Sequence, residues 1–289
     1  MWKVIDHTIT YLVNCLPSTN RPNGSISASS PPQNALLYKL KMGRHYLNNE
    51  LGVNYDRQAI AVAMGEEAEQ ENTYQLFRVY WTPSMSFAFS KQQVVVKTRI
   101  SYAHQAYRQS RTGHLWVDPS IQWNWKVSAL SSFSADVGYT NSPLTGKSIY
   151  DTPIFTTYRT QKINQGKTAV THDLRATATY KYANPVWGLF LNVSPMYART
   201  SGNILYENAL NDRVFTIVAT DKKRATETTG LSGHISKTFG WAKTLLGLGA
   251  SFTTTNYCML VTGKVNDARM TVTSVALNFS LRPTRLLSV

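Results

Sequence analysis

The feature that most constrains this chain is a two-residue alternation of apolar and polar side chains, held over strand-length runs and repeated between Tyr74 and Arg282. From Ala169 to Arg199, His172, Leu174, Ala176, Ala178, Tyr180 and Tyr182 share one parity, and Asp173, Arg175, Thr177, Thr179 and Lys181 take the other. A turn at Ala183-Asn184-Pro185-Val186 follows, after which Trp187, Leu189, Leu191, Val193, Pro195 and Tyr197 line one side of the next run. A period of two puts alternate side chains on opposite faces of a strand. Runs of about ten residues with an aromatic-rich apolar face suit a membrane-spanning barrel better than a soluble sandwich. The pattern predicts an all-β protein, an antiparallel transmembrane β-barrel with up-and-down meander order. About eleven strands are visible, so the barrel is expected to be partial.

No run approaches the length of about 18 apolar residues that a membrane-spanning helix needs, and the mean hydropathy is negative. Barrel strands escape a hydropathy scan because half of each is polar. The formal charge of +14 raises the question of a nucleic-acid partner. The basic residues are scattered, however: Lys97, Arg99, Arg175 and Lys181 stand singly within strand runs, and only Lys222-Lys223-Arg224 is contiguous. No groove-reading helix or RNA-binding motif accompanies them, so no nucleic acid is expected. Cys15 and Cys258 show no metal or redox spacing, and Asp6 and His7 interrupt the apolar core that a lipoprotein signal before Cys15 would require. No ordinary secretory signal is read at the start.

Residues 1–32 are read as an irregular N-terminal segment with one short strand at Thr8 to Val13, and residues 33–289 as the barrel domain. Connections of two kinds alternate. Tight turns are expected at 43–46, 90–92, 126–128, 183–186 and 240–242, and longer loops near 65–73, 105–113, 141–167, 200–225 and 257–267, the last but one holding a hairpin around Val214 to Val218. Short turns at one rim and long loops at the other are the outer-membrane arrangement. Trp125, Trp187 and Trp241 lie within or beside the tight turns and are the candidate membrane-interface aromatics. Pro83, inside an otherwise regular strand, is expected to interrupt pairing locally. The acidic loop from Glu66 to Glu71 has the oxygen chemistry of a cation site without the spacing of one, and is read as a solvated loop tip.

Catalytic patterns are lacking. The six histidines show no paired metal spacing, no nucleophile elbow occurs, and Gly146-Lys147-Ser148 and Gly166-Lys167-Thr168 lack the upstream glycine of a phosphate loop. No enzyme activity, cofactor or metal is expected.

Three segments carry a resemblance. Tyr182-Ala183-Asn184-Pro185-Val186-Trp187-Gly188-Leu189-Phe190, with Ser201-Gly202-Asn203-Ile204-Leu205, resembles an Asn-Pro turn strand pair. Ile235-Ser236-Lys237-Thr238-Phe239-Gly240-Trp241-Ala242-Lys243-Thr244 resembles a Ser-Lys-x-Phe-x-Trp turn, and Trp81-Thr82-Pro83-Ser84 is the third segment. Together they resemble the C-terminal β-barrel of the TonB-dependent receptors of Gram-negative outer membranes, over residues 35 to 282. The resemblance implies uptake of a bulky nutrient through a large barrel with an N-terminal plug. It implies as partners outer-membrane lipid and lipopolysaccharide, the plug with the remaining barrel strands, and TonB through that plug. With half the strands, no plug segment and no terminal aromatic, the chain is expected to be a fragment of such a receptor in the cell outer membrane. Two other readings stay open: a small stand-alone outer-membrane channel or adhesin, and a soluble carbohydrate-binding β-sandwich.

Overall fold

The computed structural model describes residues 7–13, 33–62, 70–107, 110–143, 154–157, 159–163, 170–211, 214–239, 244–261 and 263–281. Its first strands are β1 (His7–Val13), β2 (Gln33–Met42), β3 (His45–Val62), β4 (Gln70–Ala88), β5 (Gln92–Tyr107), β6 (Ser110–Lys126) and β7 (Ser131–Pro143). Then come β8 (Ile154–Thr157), β9 (Thr160–Ile163), β10 (Val170–Asn184), β11 (Leu189–Gly202), β12 (Leu205–Asn211), β13 (Val214–Thr220), β14 (Arg224–Phe239), β15 (Thr244–Val261) and β16 (Lys264–Leu281). All belong to one sheet. A sandwich needs two sheets packed face to face, so among the described residues the arrangement is not the sandwich left open by the sequence.

The wall is a meander of twelve strands, β1 to β7, β10, β11 and β14 to β16, each antiparallel to the next. That is one more than the alternation alone makes visible, because β1 pairs along β2 from His7↔Leu40 to Val13↔Asn34. The sheet is not closed: among the described residues β1 pairs only with β2, and β16 only with β15.

Register sorts the two parities across the wall. One row runs through Leu40, Leu47, Met85, Val96, Ile121, Val137, Ala176 and Tyr197 on successive strands. The adjacent row on the opposite face runs through Asn48, Ser84, Lys97, Ser120, Gly138, Arg175 and Ala198. Further round, Leu191, Ile235, Leu248 and Leu277 line the apolar face. On the polar face Thr179, Ser194, Ser232, Ser251 and Ser274 answer them, with Thr179 and Ser194 hydroxyls 2.9 Å apart and those of Ser251 and Ser274 2.7 Å apart. Few hydrophobic residues are buried, and many large ones lie exposed in contiguous rows; Leu277 is 70% exposed.

The turns follow from local chemistry. Gly43 and Gly188 take φ of 65° and 60°, which a side chain resists. The turn after β10 is 185–188, two residues later than expected. Asn184 Oδ1 accepts the Trp187 N–H at 3.1 Å, and the Gly188 N–H reaches Pro185 O at 3.3 Å. Two expected long loops are instead the ends of long strands: β5 and β6 pair to Tyr107↔Ser110, and β15 and β16 to Val261↔Lys264. Pro83 and Pro195 interrupt pairing on one side only. β4–β5 pairing lapses between Trp81↔Ile100 and Ser84↔Lys97, and β10–β11 pairing between Thr177↔Met196 and Tyr180↔Val193, without a register shift. Each proline lacks the N–H that the ladder would use.

The two long connections carry hairpins. The hairpin expected near Val214 is β12–β13; β8–β9 lies in the connection 141–167, where the sequence predicts only a loop. Above Tyr257, where β14 has ended, β12 takes its place beside β15 in parallel (Glu207↔Leu260, Asn208↔Val261). β13 then carries β9 in parallel from Phe215↔Thr160 to Val218↔Ile163.

Candidate functional site

The wall has two ends. The tight turns 43–44, 89–91, 127–130 and 185–188 all fall at one, and both hairpins at the other. Trp125 stands one residue before the end of β6, on the apolar parity. Its ring stacks on that of Trp123 at 5.9 Å and 6°, and Trp123 meets Phe133 edge-on at 5.3 Å. At the same end Phe87 and Phe89 flank His45. Trp187 lies in the 185–188 turn, 68% exposed, and its carbonyl accepts the Lys237 ammonium. Thus two of the three candidate tryptophans stand at the short-turn end, joined by Trp123 and three phenylalanines not singled out from the sequence. Trp241 lies outside the described residues.

The polar face holds a charged and aromatic cluster on β3 to β6. Tyr80 OH donates to Glu50 at 2.8 Å, the Arg99 guanidinium covers the Tyr80 ring at 4.6 Å, and Arg99 Nε donates to Thr82 at 3.3 Å. Beside it, Arg78 lies over the Trp116 ring at 4.9 Å, and the His114 ring stacks on Trp116 at 6.0 Å. Gly52 is required here, because a Cβ would stand 2.4 Å from the Tyr80 ring. Gln105 is fully buried, and neither of its amide atoms has a hydrogen-bond partner among the described residues. Arg78, Tyr80, Arg99 and Asp118 share one parity on neighbouring strands, and that register was the signal by which the sequence could have revealed the cluster.

Toward the hairpin end the wall has a seam. β6 and β7 pair only from Ser120↔Gly138 to Lys126↔Ser132, and above Pro119 they part. Asn141 bridges the gap: its Nδ2 donates to Val117 O at 3.1 Å and to Asp118 Oδ1 at 2.7 Å, and its backbone N–H to the same carboxylate oxygen at 2.8 Å. Asn141 Oδ1 in turn lies 2.5 Å from His172 Nδ1. In the hairpins, burial pushes the Lys162 ammonium below its usual pKa and the Tyr206 phenol above its own; Lys162 lies over the Tyr206 ring at 4.7 Å. Cys258, near the same end, donates to Asp267 at 3.2 Å. Glu66, Glu67 and Glu69 of the acidic loop lie outside the described residues. Among the described residues no group of three or more His, Cys, Asp and Glu side chains is placed to hold a metal ion.

No protein-family model matches the sequence, and no curated protein matches it. The structure is similar to that of the copper transporter OprC, with a TM-score of 0.55 at 10% sequence identity. The match covers 88% of this chain and 49% of that one, so this chain spans about half of OprC's length. At that identity the likeness speaks to fold alone: the chain is an all-β wall of barrel type, an antiparallel meander that is unclosed among the described residues.

Proposed function

We propose that the chain forms part of the wall of an outer-membrane transporter in a Gram-negative bacterium, of the TonB-dependent receptor kind, for a bulky nutrient. The observation that carries this reading is the apolar face. Rows such as Ile235, Leu248 and Leu277 stand exposed across neighbouring strands. Soluble proteins rarely leave contiguous apolar patches beyond a few hundred Å² to water. Strands of 16 to 19 residues, as in β3 to β6, exceed the roughly ten that cross a bilayer. The apolar face meets outer-membrane lipid and lipopolysaccharide; Trp125 and Trp187 lie at the headgroup level of one leaflet. The polar face turns to the lumen, where a plug coupled to TonB would sit. The unpaired outer edges of β1 and β16 support further strands completing the wall, since open sheet edges are costly in lipid. The role is passive transport architecture, not enzymatic, and without a nucleic-acid partner.

A second reading has one observation in its favour: twelve is an even number, as in single-chain bacterial barrels, so the chain would be a small channel closing β1 on β16. Export of the full chain to the periplasm, followed by membrane fractionation and unheated gel electrophoresis, tests both. The wall reading expects outer-membrane association, release only by detergent, and no heat-modifiable band unless the completing strands are co-expressed. A heat-modifiable band from this chain alone selects the small channel. Recovery in the soluble fraction without detergent would sink both.

A further inference from the structure

At the short-turn end of the polar face lies a recess of about 530 Å³, a volume typical of small-molecule sites. Its walls include Lys91, Lys126, Lys181, Asn124, Ser132 and Ser134, and no residue lining it is acidic. The sequence scatters these lysines through a turn, a strand end and a strand interior; the register gathers them. Lys126 pairs with Ser132, and Ser132 with Lys181, so both lysines flank one serine in a single row across β6, β7 and β10. With neighbouring strands 4.7–4.9 Å apart, their Cα atoms stand about 10 Å apart on either side of Ser132. Asn124 and Ser134 pair in the next row of the same face. Lys91 joins from the turn: its carbonyl accepts the Lys126 N–H at 2.8 Å, which fixes the two residues side by side. Among the described residues none of the three ammonium groups has an ion-pair partner.

Three cations in a concave site with hydroxyl and amide groups between them, and no carboxylate to neutralise them, describe an anion receptor. Lysine ammonium groups act as point charges toward phosphate, and Ser and Asn supply directed donors. We propose that this recess binds a small soluble polyanion bearing phosphate or carboxylate groups, at the short-turn mouth of the polar face. A phosphate could also be presented by a lipid headgroup; Phe89, Trp125 and Phe133 line the recess too, but Lys126, Ser132 and Lys181 share one row of the polar parity, which favours the free solute.

The inference goes beyond the wall reading and is tested by binding, not uptake, so the two can fail separately. The full chain folded in neutral detergent is dialysed to equilibrium against labelled inorganic pyrophosphate, and in parallel mixed with vesicles of phosphatidylglycerol or of phosphatidylcholine. Saturable binding of one pyrophosphate per chain is expected. Lys126→Gln and Lys181→Gln each weaken it roughly fivefold, and the triple variant with Lys91→Gln abolishes it. Lys181→Arg, which keeps the charge, retains it, and a Lys222→Gln/Lys223→Gln pair at the far end of the wall leaves it unchanged. Lys91 and Lys126 are exposed, so their removal leaves the fold intact; far-UV circular dichroism checks this for each variant. Equal loss in the Lys222/Lys223 pair, or undiminished binding in the triple variant, overturns the site. Binding to phosphatidylglycerol vesicles without binding of pyrophosphate overturns the soluble ligand.

Discussion

Two inter-strand boundaries of this wall behave in opposite ways. β15 and β16 are paired without a break from Thr244↔Leu281 to Val261↔Lys264, while β6 and β7 hold only from Lys126↔Ser132 to Ser120↔Gly138. The sequence difference is small. β15 and β16 contain no proline, while β6 carries Pro119 at the point where pairing stops. Beyond it β7 stays with β10, up to Pro143↔Val170, and β6 stays with β5, up to Ser110↔Tyr107. The ladder forks, and one asparagine side chain replaces part of it.

The fork has a height. Seven residues at about 3.3 Å each reach about 23 Å along the strand, or about 16 Å up a wall tilted by 45°. An apolar band is about 25 Å tall. Backbone groups without partners cost several kcal/mol each in hydrocarbon, so in the proposed wall the seam would mark where water reaches it from the polar face. The continuous boundary has no such need, and in the proposed wall its apolar row, Leu246, Leu248, Ala250 and Phe252, is the one that would face lipid.

The contrast is broken or sharpened by five substitutions, all read by denaturant unfolding in a lipid-like detergent. Leu248→Arg, at mid-height on the continuous boundary, is expected to cost about 2–4 kcal/mol, and Leu115→Arg, above the seam, about 0–1 kcal/mol. Equal costs would mean that the two sites share one environment. Asn141→Ala should cost about 1–3 kcal/mol by stranding Val117 O and the Asp118 carboxylate. Amide exchange should quicken from 111 to 118 and not across β15; uniform quickening would place the strain elsewhere. Pro119→Ala restores a donor, and is expected to slow exchange at the fork and add less than about 1 kcal/mol. No change in protection there would show that proline does not set the fork. Ser274→Ala, which removes one hydroxyl contact from a boundary zipped on its whole length, should stay within about 0.5 kcal/mol of the parent.

Much of the wall was legible in the residues. Period-two alternation identified Leu189 to Tyr197 and Leu246 to Phe252 as strands, and fixed which side chains share a face, since parity is a local property. What depends on pairing partners was not legible. Arg78, Tyr80 and Arg99 look like isolated residues until the β4–β5 register sets them together, and Lys126 and Lys181 look scattered until both are found beside Ser132. Expected loops also hid structure: residues near 105–113 and 257–267 do not keep the two-residue alternation, Met259-Leu260-Val261 being apolar throughout, yet their backbones pair as strands. That Trp125 and Trp187 stand at the short-turn end is legible from their positions beside turns, whereas the packing of Trp123 on Trp125 and Phe133 depends on register and is not.

The parallel joint between β12 and β15 sets an order of assembly. β12 and β13 meet across a two-residue connection, and a hairpin of this kind closes in about 1–10 μs. Glu207 meets Leu260 only after the chain from 221 to 260, with β14 and most of β15, has been laid down, and such distant closures are slow because chain entropy is lost before contacts repay it. The hairpin is therefore ready long before its berth exists, and the crown of this wall is the last part to be fastened.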